Sequence, residues 1–301
     1  MSIIVYHENP SDLASFTRLG DAWAIDEQNM IFAVADSPLR HLLRDTRNYP
    51  FDDFGYETAS TFCDEFLLSF RNILQKGSFT EKSLRIALLE ANVAIDQLNK
   101  KRGRTYGDKS NYDIAETVGI GAVVSEGVLY YGGLEDCYVN ILRGPNLENV
   151  AVFEYQIMKA SKYLDVLTEQ GKVEEYIPED IRGKLRKESL WEPCWCTHLR
   201  NNLEARDEKG NLVGWGCFTG EAVVGDFIQT HAVELEKGDR ILLFSDGMIP
   251  VLENDVFVEW FIKNRHPSFH FELAMRKRIM QLLAGKDSAH KEKTLIYFEY
   301  E

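Results

Sequence analysis

Two short apolar runs in this sequence end in an aspartate. Met30–Ala35 leads into Asp36, and Arg240–Ser245 leads into Asp246. Each run has the length of a buried strand. A strand end presents its side chain at the rim of a sheet, where rigid scaffold meets water. Two carboxylates brought together at such a rim repel each other unless a cation lies between them. Hard cations such as Mg²⁺ and Mn²⁺ take oxygen ligands, so the pair is a candidate metal site. Aspartate also suits the turn after a strand for backbone reasons alone, and spacing leaves both readings open. Cys194-Trp195-Cys196-Thr197-His198 has the residue types of a zinc site. Its Cys-x-Cys spacing is tight and no fourth ligand is adjacent, so buried thiols around a tryptophan are expected. Lys184, Arg186 and Lys187 read as a solvated helix face, with attraction of an acidic partner as the alternative.

The elements that must position these residues are legible from periodicity. Strands are predicted at Ser2–His7, Trp23–Ile25 and Met30–Ala35. An apolar stripe of Ala59, Phe62, Cys63, Phe66, Leu67, Phe70 and Leu74 predicts a helix over Glu57–Leu74. Leu84, Ala87, Leu88, Ala91, Ala94, Ile95 and Leu98 predict another over Glu81–Leu98. The period then changes. Thr117–Val124, Val128–Gly132 and Tyr138–Arg143 read as three strands of an antiparallel meander. Residues 144–215 are irregular and charged. Arg240–Ser245 is a strand, Phe271–Leu283 a helix and Thr294–Tyr300 a closing strand. Strands come in runs rather than alternating with helices, which points to an α+β fold with antiparallel sheets covered by helices.

Bulk properties exclude some classes. The 301 residues carry a net charge of −14, which argues against a nucleic-acid binder and against an anionic membrane surface as partner. No apolar stretch approaches the roughly 20 residues needed to span a bilayer. The start of the sequence does not read as a secretory signal. The odd count of five cysteines does not suggest a disulfide framework. A cytoplasmic location is expected.

Eight segments carry a further signal by their order. Arg18-Leu19-Gly20-Asp21-Ala22-Trp23 precedes Phe32-Ala33-Val34-Ala35-Asp36. Gly55-Tyr56-Glu57-Thr58-Ala59-Ser60 opens the first helix. Leu134-Glu135-Asp136-Cys137 is followed by Leu142-Arg143-Gly144. Phe218-Thr219-Gly220-Glu221, the run from Gly238 to Gly247 and Lys291-Glu292-Lys293-Thr294-Leu295-Ile296 complete the series. Together these resemble, over nearly the whole chain, the motifs of the metal-dependent PPM-type (protein phosphatase 2C-like) serine/threonine phosphatases. The run ending Phe244-Ser245-Asp246-Gly247 is the most specific match.

The resemblance implies a four-layer α-β-β-α sandwich of two antiparallel sheets flanked by helices. It implies one domain over residues 1–301, with an insertion or flap at about 150–215. It implies hydrolysis of phosphoserine or phosphothreonine in a protein substrate by a water activated by two Mg²⁺ or Mn²⁺ ions, without a covalent enzyme intermediate. By position, Asp36 bridges the ions, the Ser37 carbonyl is a further ligand and Asp246 holds one ion. Asp21 stands behind the metal or binds it through water, and Asp136 matches an aspartate that helps hold an additional ion. His41 has the spacing of a proposed general acid, and Arg18 falls near the place of a phosphate-binding arginine. The sequence also departs from the pattern. The glycines between the family's first metal aspartate and its histidine are replaced by Ser37, Pro38, Leu39 and Arg40. The last metal-ligand aspartate falls on Lys291, leaving Glu292, or more loosely Asp287, as a substitute. The alternative is therefore a catalytically impaired pseudophosphatase acting as a binding or regulatory module.

Overall fold

A computed structural model of the chain describes residues 3–8, 20–37, 54–76, 79–104, 114–177, 179, 191–264, 269–286 and 291–301. Its strands are β1 (Ile3–Glu8), β2 (Ala22–Asp26), β3 (Ile31–Asp36), β4 (Val118–Ser125), β5 (Val128–Leu134), β6 (Cys137–Arg143), β7 (Glu148–Asn149), β8 (Gln229–Glu234), β9 (Arg240–Ser245) and β10 (Lys293–Glu299). Its longer helices are α1 (Phe54–Lys76), α2 (Glu81–Lys101), α3 (Ile157–Glu169), α4 (Asp255–Asn264) and α5 (Phe269–Leu283).

The strands form two five-stranded sheets, ordered β1-β10-β9-β6-β7 and β2-β3-β4-β5-β8, and every pairing between neighbours is antiparallel. Alternation along each strand decides which layer a side chain joins. From β3, Phe32 and Val34 enter the core between the sheets, while Ile31, Ala33 and Ala35 pack under α1 and α2. Phe32 stacks on Phe298 of the facing sheet, with ring centroids 4.5 Å apart. On the other outer face, Leu242, Phe244, Leu295 and Tyr297 pack under α4 and α5. The layers are helix, sheet, sheet and helix, as the α+β reading expected.

Glycine spacing in β4 sets how closely α1 approaches its sheet. A Cβ on Gly119 would lie 2.6 Å from the Phe62 ring, and one on Gly121 would lie 2.1 Å from the Phe66 ring. The two glycines alternate with Ile120 and Ala122, which face the inter-sheet core. The two helix phenylalanines therefore fill the volume that strand side chains would otherwise take.

One expectation is corrected. The strands at 117–143 are not a meander. β4 and β5 form a hairpin, but β6 leaves that sheet and pairs with β9 in the other. The chain crosses between sheets at Glu135-Asp136, where Glu135 has φ +42°, a conformation uncommon for a residue with a side chain. β8 and α4 were not read from the sequence; β8 is a mostly polar strand at a sheet edge, with only Ala232 and Val233 apolar, and α4 is only 10 residues long. Within the irregular stretch at 144–215, Ala160, Leu164, Leu167, Cys194, Cys196, Leu199 and Trp215 join the inter-sheet core.

Candidate functional site

One rim of the sandwich collects carboxylates from five places in the chain. Asp36 ends β3 in one sheet, and Asp246 follows β9 in the other. Asp136 lies on the turn by which the chain changes sheets. Asp21 precedes β2, and Glu292 precedes β10. Burial first, then the charges of Asp21, Asp246, Asp136 and Glu292, hold the Asp36 carboxyl well above its ordinary value. No hydrogen-bond donor among the described residues reaches the Asp36 carboxylate. The two aspartates that the sequence singled out thus lie within electrostatic reach of each other, although 210 positions separate them.

The other carboxylates have partners. Asp21 is buried, and its Oδ2 accepts the Ser245 hydroxyl at 2.5 Å and the Thr294 hydroxyl at 2.8 Å. Burial pushes its carboxyl up to about 6 against those two hydrogen bonds. The Ser245 Oγ in turn accepts the Thr294 backbone N–H at 3.1 Å. The Thr294 hydroxyl hydrogen is committed to Asp21, so the 2.9 Å contact to His7 assigns the proton there to Nδ1 of the histidine. Ser245, Thr294 and His7 were not among the residues singled out from sequence. The available signal was their place in the last two motifs and in the strand beside them.

The Glu292 Oε2 accepts the backbone N–H groups of Gly20 at 2.5 Å and Asp21 at 2.8 Å. Two successive amides make an anion-binding concavity. Burial and the Asp21 charge nevertheless raise the Glu292 carboxyl to about 8. Asp136 accepts the Tyr138 hydroxyl at 3.0 Å, and burial followed by the Asp246 charge raises it to about 6. Next to it, Glu135 is buried and its Oε2 accepts the Ile157 N–H at 2.7 Å, which ties the start of α3 to the site's turn.

Glycines let these loops meet. A Cβ on Gly20 would lie 2.0 Å from the Ser37 carbonyl oxygen, and one on Gly247 would lie 1.7 Å from the Glu292 carbonyl oxygen. Ser37 donates its N–H to the Gly20 carbonyl at 3.1 Å. Its own carbonyl therefore lies against Gly20, at the edge of the carboxylate cluster.

Lys291 is placed on Asp246: its ammonium forms an ion pair with the Asp246 Oδ2. Burial alone would lower the Lys291 ammonium, but the carboxylates of Asp246, Asp136 and Asp36 outweigh it and raise it. Lys293 is 3 % exposed and donates its Nζ to the Lys291 carbonyl at 2.6 Å. Arg18, His41 and Asp287, together with Lys184, Arg186 and Lys187, lie outside the described residues.

The donor set is all hard oxygen, which suits Mg²⁺ or Mn²⁺. The Asp36 carboxylate, crowded by four others and without a hydrogen-bond donor among the described residues, is the feature that fits such an ion. Among the described residues, no group of three or more His, Cys, Asp or Glu side chains forms a ready ligand cage. Cys194 and Cys196 are buried, and burial pushes the Cys194 thiol up to about 12. None of the five cysteines is in a disulfide. Two further motif residues meet away from the rim, at the far ends of β6 and β9. Arg143 donates Nε and Nη2 to the two oxygens of Asp239, at 3.0 and 2.7 Å.

No family model matches this sequence, and no curated protein matches it. Solved structures do. The Mycobacterium tuberculosis serine/threonine phosphatase PstP/Ppp aligns with a TM-score of 0.59 at 15% identity, covering 100% of this chain and 98% of that one. A structure of the PstP catalytic domain in complex with 2 manganese ions gives 0.58 at 12%, covering 100% and 98%. The PPM Ser-Thr phosphatase MsPP from Mycobacterium smegmatis, in complex with cacodylate, gives 0.52 at 17%, covering 100% and 99%. The chain has the fold of the PPM-type serine/threonine phosphatases. Among the described residues no helix is long and apolar enough to cross a membrane.

Proposed function

We propose that this chain is a divalent-metal-dependent phosphatase acting on phosphoserine or phosphothreonine in a protein substrate. We take residues 1–301 as one unit with 150–215 as an insertion. The supporting observation is the convergence of Asp21, Asp36, Asp136, Asp246 and Glu292 on one rim of this fold. A bound Mg²⁺ or Mn²⁺ would polarise the phosphoryl group and lower the pKa of a water. In this reading Asp36 is the principal ligand and the Ser37 carbonyl an accessory one. Asp246 and Asp136 flank the ion. Asp21 sets the position of Ser245 and Thr294, and Glu292 fixes the loop at Gly20 and Asp21. Arg18 and His41 keep the phosphate-binding and leaving-group roles that the resemblance implies. Neither nucleic acid nor a membrane surface suits the charge of −14, and a cytoplasmic location fits cysteines that form no disulfide.

Hydrolysis of p-nitrophenyl phosphate and of a phosphothreonine peptide with Mn²⁺ tests the reading. Activity in the wild type and its loss in Asp36→Ala and Asp246→Ala support it. A wild type that is folded, inactive and not stabilised by Mn²⁺ overturns it. One observation favours a second reading, a pseudophosphatase that binds rather than hydrolyses: the Lys291 ammonium is seated on Asp246, and a protonated lysine repels a dication.

A further inference from the structure

The last loop brings two positive charges into the carboxylate cluster, on different sides of it. Lys291 pairs with Asp246, and its charge also acts on Asp136 and Asp36. Lys293 is buried, and its charge acts on Asp21 and Glu292. The Lys293 Nζ is bonded to the Lys291 carbonyl at 2.6 Å, so one short segment presents both ammonium groups in a fixed relation. Glu292 between them is anchored on the Gly20 and Asp21 amides, and the Gly247 backbone presses against its carbonyl. Such a segment cannot swing out of the rim without breaking several contacts. Asp36 has no donor among the described residues. The charges of Asp21, Asp246, Asp136 and Glu292 all act on it.

We infer that Lys291 and Lys293 are resident counter-ions of this cluster, together carrying the charge of one divalent cation, and that the chain takes one divalent ion, at Asp36. Five carboxylates confined to one rim repel strongly in a partly desolvated site. Two ammonium groups offset part of that repulsion in the absence of metal, and one dication offsets more. A second dication beside Asp246 would have to displace the Lys291 ammonium. This inference rests on the metal-dependent reading above. It differs from the two manganese ions of the PstP catalytic domain.

Mn²⁺ titration at low ionic strength, followed by the electron paramagnetic resonance of free Mn²⁺, counts the ions on the full chain. The melting temperature is followed with and without chelator. The wild type is expected to bind one Mn²⁺. Lys291→Asp removes the ammonium and adds a ligand, and is expected to bind two. Lys291→Gln is expected to melt lower than the wild type in chelator and to bind its first Mn²⁺ at least about tenfold more tightly, because a like charge has been removed. If Lys291→Asp does not fold without metal, Lys291→Gln carries the test. A wild type that binds two ions overturns the inference and leaves the phosphatase reading standing. A wild type that binds none overturns the metal-dependent reading and the single ion with it. If Lys291→Gln matches the wild type in both Mn²⁺ affinity and metal-free melting, the counter-ion role is refuted, whatever the activity.

Discussion

Glu292 reaches across 271 positions to accept the backbone N–H of Asp21 at 2.8 Å. The same oxygen takes the Gly20 N–H. The segment before the last strand is therefore fastened to the segment before the second strand. Asp21, once held, accepts hydroxyls from Ser245 and Thr294. Three loops are locked into one rim by a carboxylate that contacts backbone.

Removing that carboxylate leaves two amides without their acceptor. Glu292→Ala is expected to destabilise the chain by about 1–3 kcal/mol, read as the shift in urea midpoint. Glu292→Gln keeps an acceptor oxygen and should lose less. Equal midpoints for the alanine variant and the wild type would refute the fastening role.

Asp36 contributes charge without gaining a hydrogen bond among the described residues. Asp36→Asn removes one of five crowded carboxylates at nearly constant volume. It is expected to raise the melting temperature in chelator and to abolish the rise caused by Mn²⁺. Differential scanning calorimetry with and without Mn²⁺ separates the two effects. A variant less stable than the wild type in chelator would show that Asp36 serves the fold rather than the ion.

Gly247 has no room for a Cβ, which would lie 1.7 Å from the Glu292 carbonyl oxygen. Gly247→Ala must push the last loop away from Asp246. A cost of about 1–3 kcal/mol is expected, with the Mn²⁺-dependent rise in melting temperature lost as well. Gly225→Ala is the control, since its nearest neighbour stands at an ordinary 3.7 Å. Indistinguishable variants would mean that the two loops separate freely.

The strands and helices that frame this rim were legible because their apolar faces repeat at fixed periods. β3 and β9 stand out as unbroken apolar runs with an acid at the end, so Asp36 and Asp246 could be picked out before anything was known of their neighbours. The crossing between sheets was not legible. Leu134-Glu135-Asp136-Cys137 looks like any tight turn, and nothing local says that β6 will pair with β9. Arg143 and Asp239 lie in motif segments, yet they meet as an ion pair at the far end of the sheet. Their spacing in the chain carried no hint of that structural use. Glu292 was read as a replacement ligand, and its bonds to the Gly20 and Asp21 amides depend on a loop meeting that only the folded chain defines. Lys291 was read as a loss, because its pairing with Asp246 depends on the same meeting. Lys293, a lysine in a run of strand residues, gave no sign that it would be buried.

The pH dependence of stability follows from the same crowding. Burial raises Glu135 from an ordinary value of 4.5 to about 8, against the hydrogen bond from Ile157. Burial and Asp21 raise Glu292 to about 8 as well. Between those values the native chain holds protons that the unfolded chain has released. The unfolded state then binds fewer protons than the native state, so stability falls as pH rises. The contribution is fully present below about pH 4.5 and is lost as pH passes through about 8. The metal-free chain is expected to show a urea midpoint that declines steadily from pH 5 to pH 8. Glu135→Gln keeps an acceptor for the Ile157 N–H and removes one titration. It should flatten the decline by up to about 1.4 kcal/mol per pH unit, the worth of one proton. Saturating Mn²⁺ should oppose the trend, because carboxylates bind the ion only when deprotonated. Chemical denaturation at four pH values, with and without Mn²⁺, measures all three slopes. A metal-free chain whose midpoint climbs over this range would mean that the buried carboxyls are ionised in the native state, and the account of the rim as an under-neutralised cluster would fail with it.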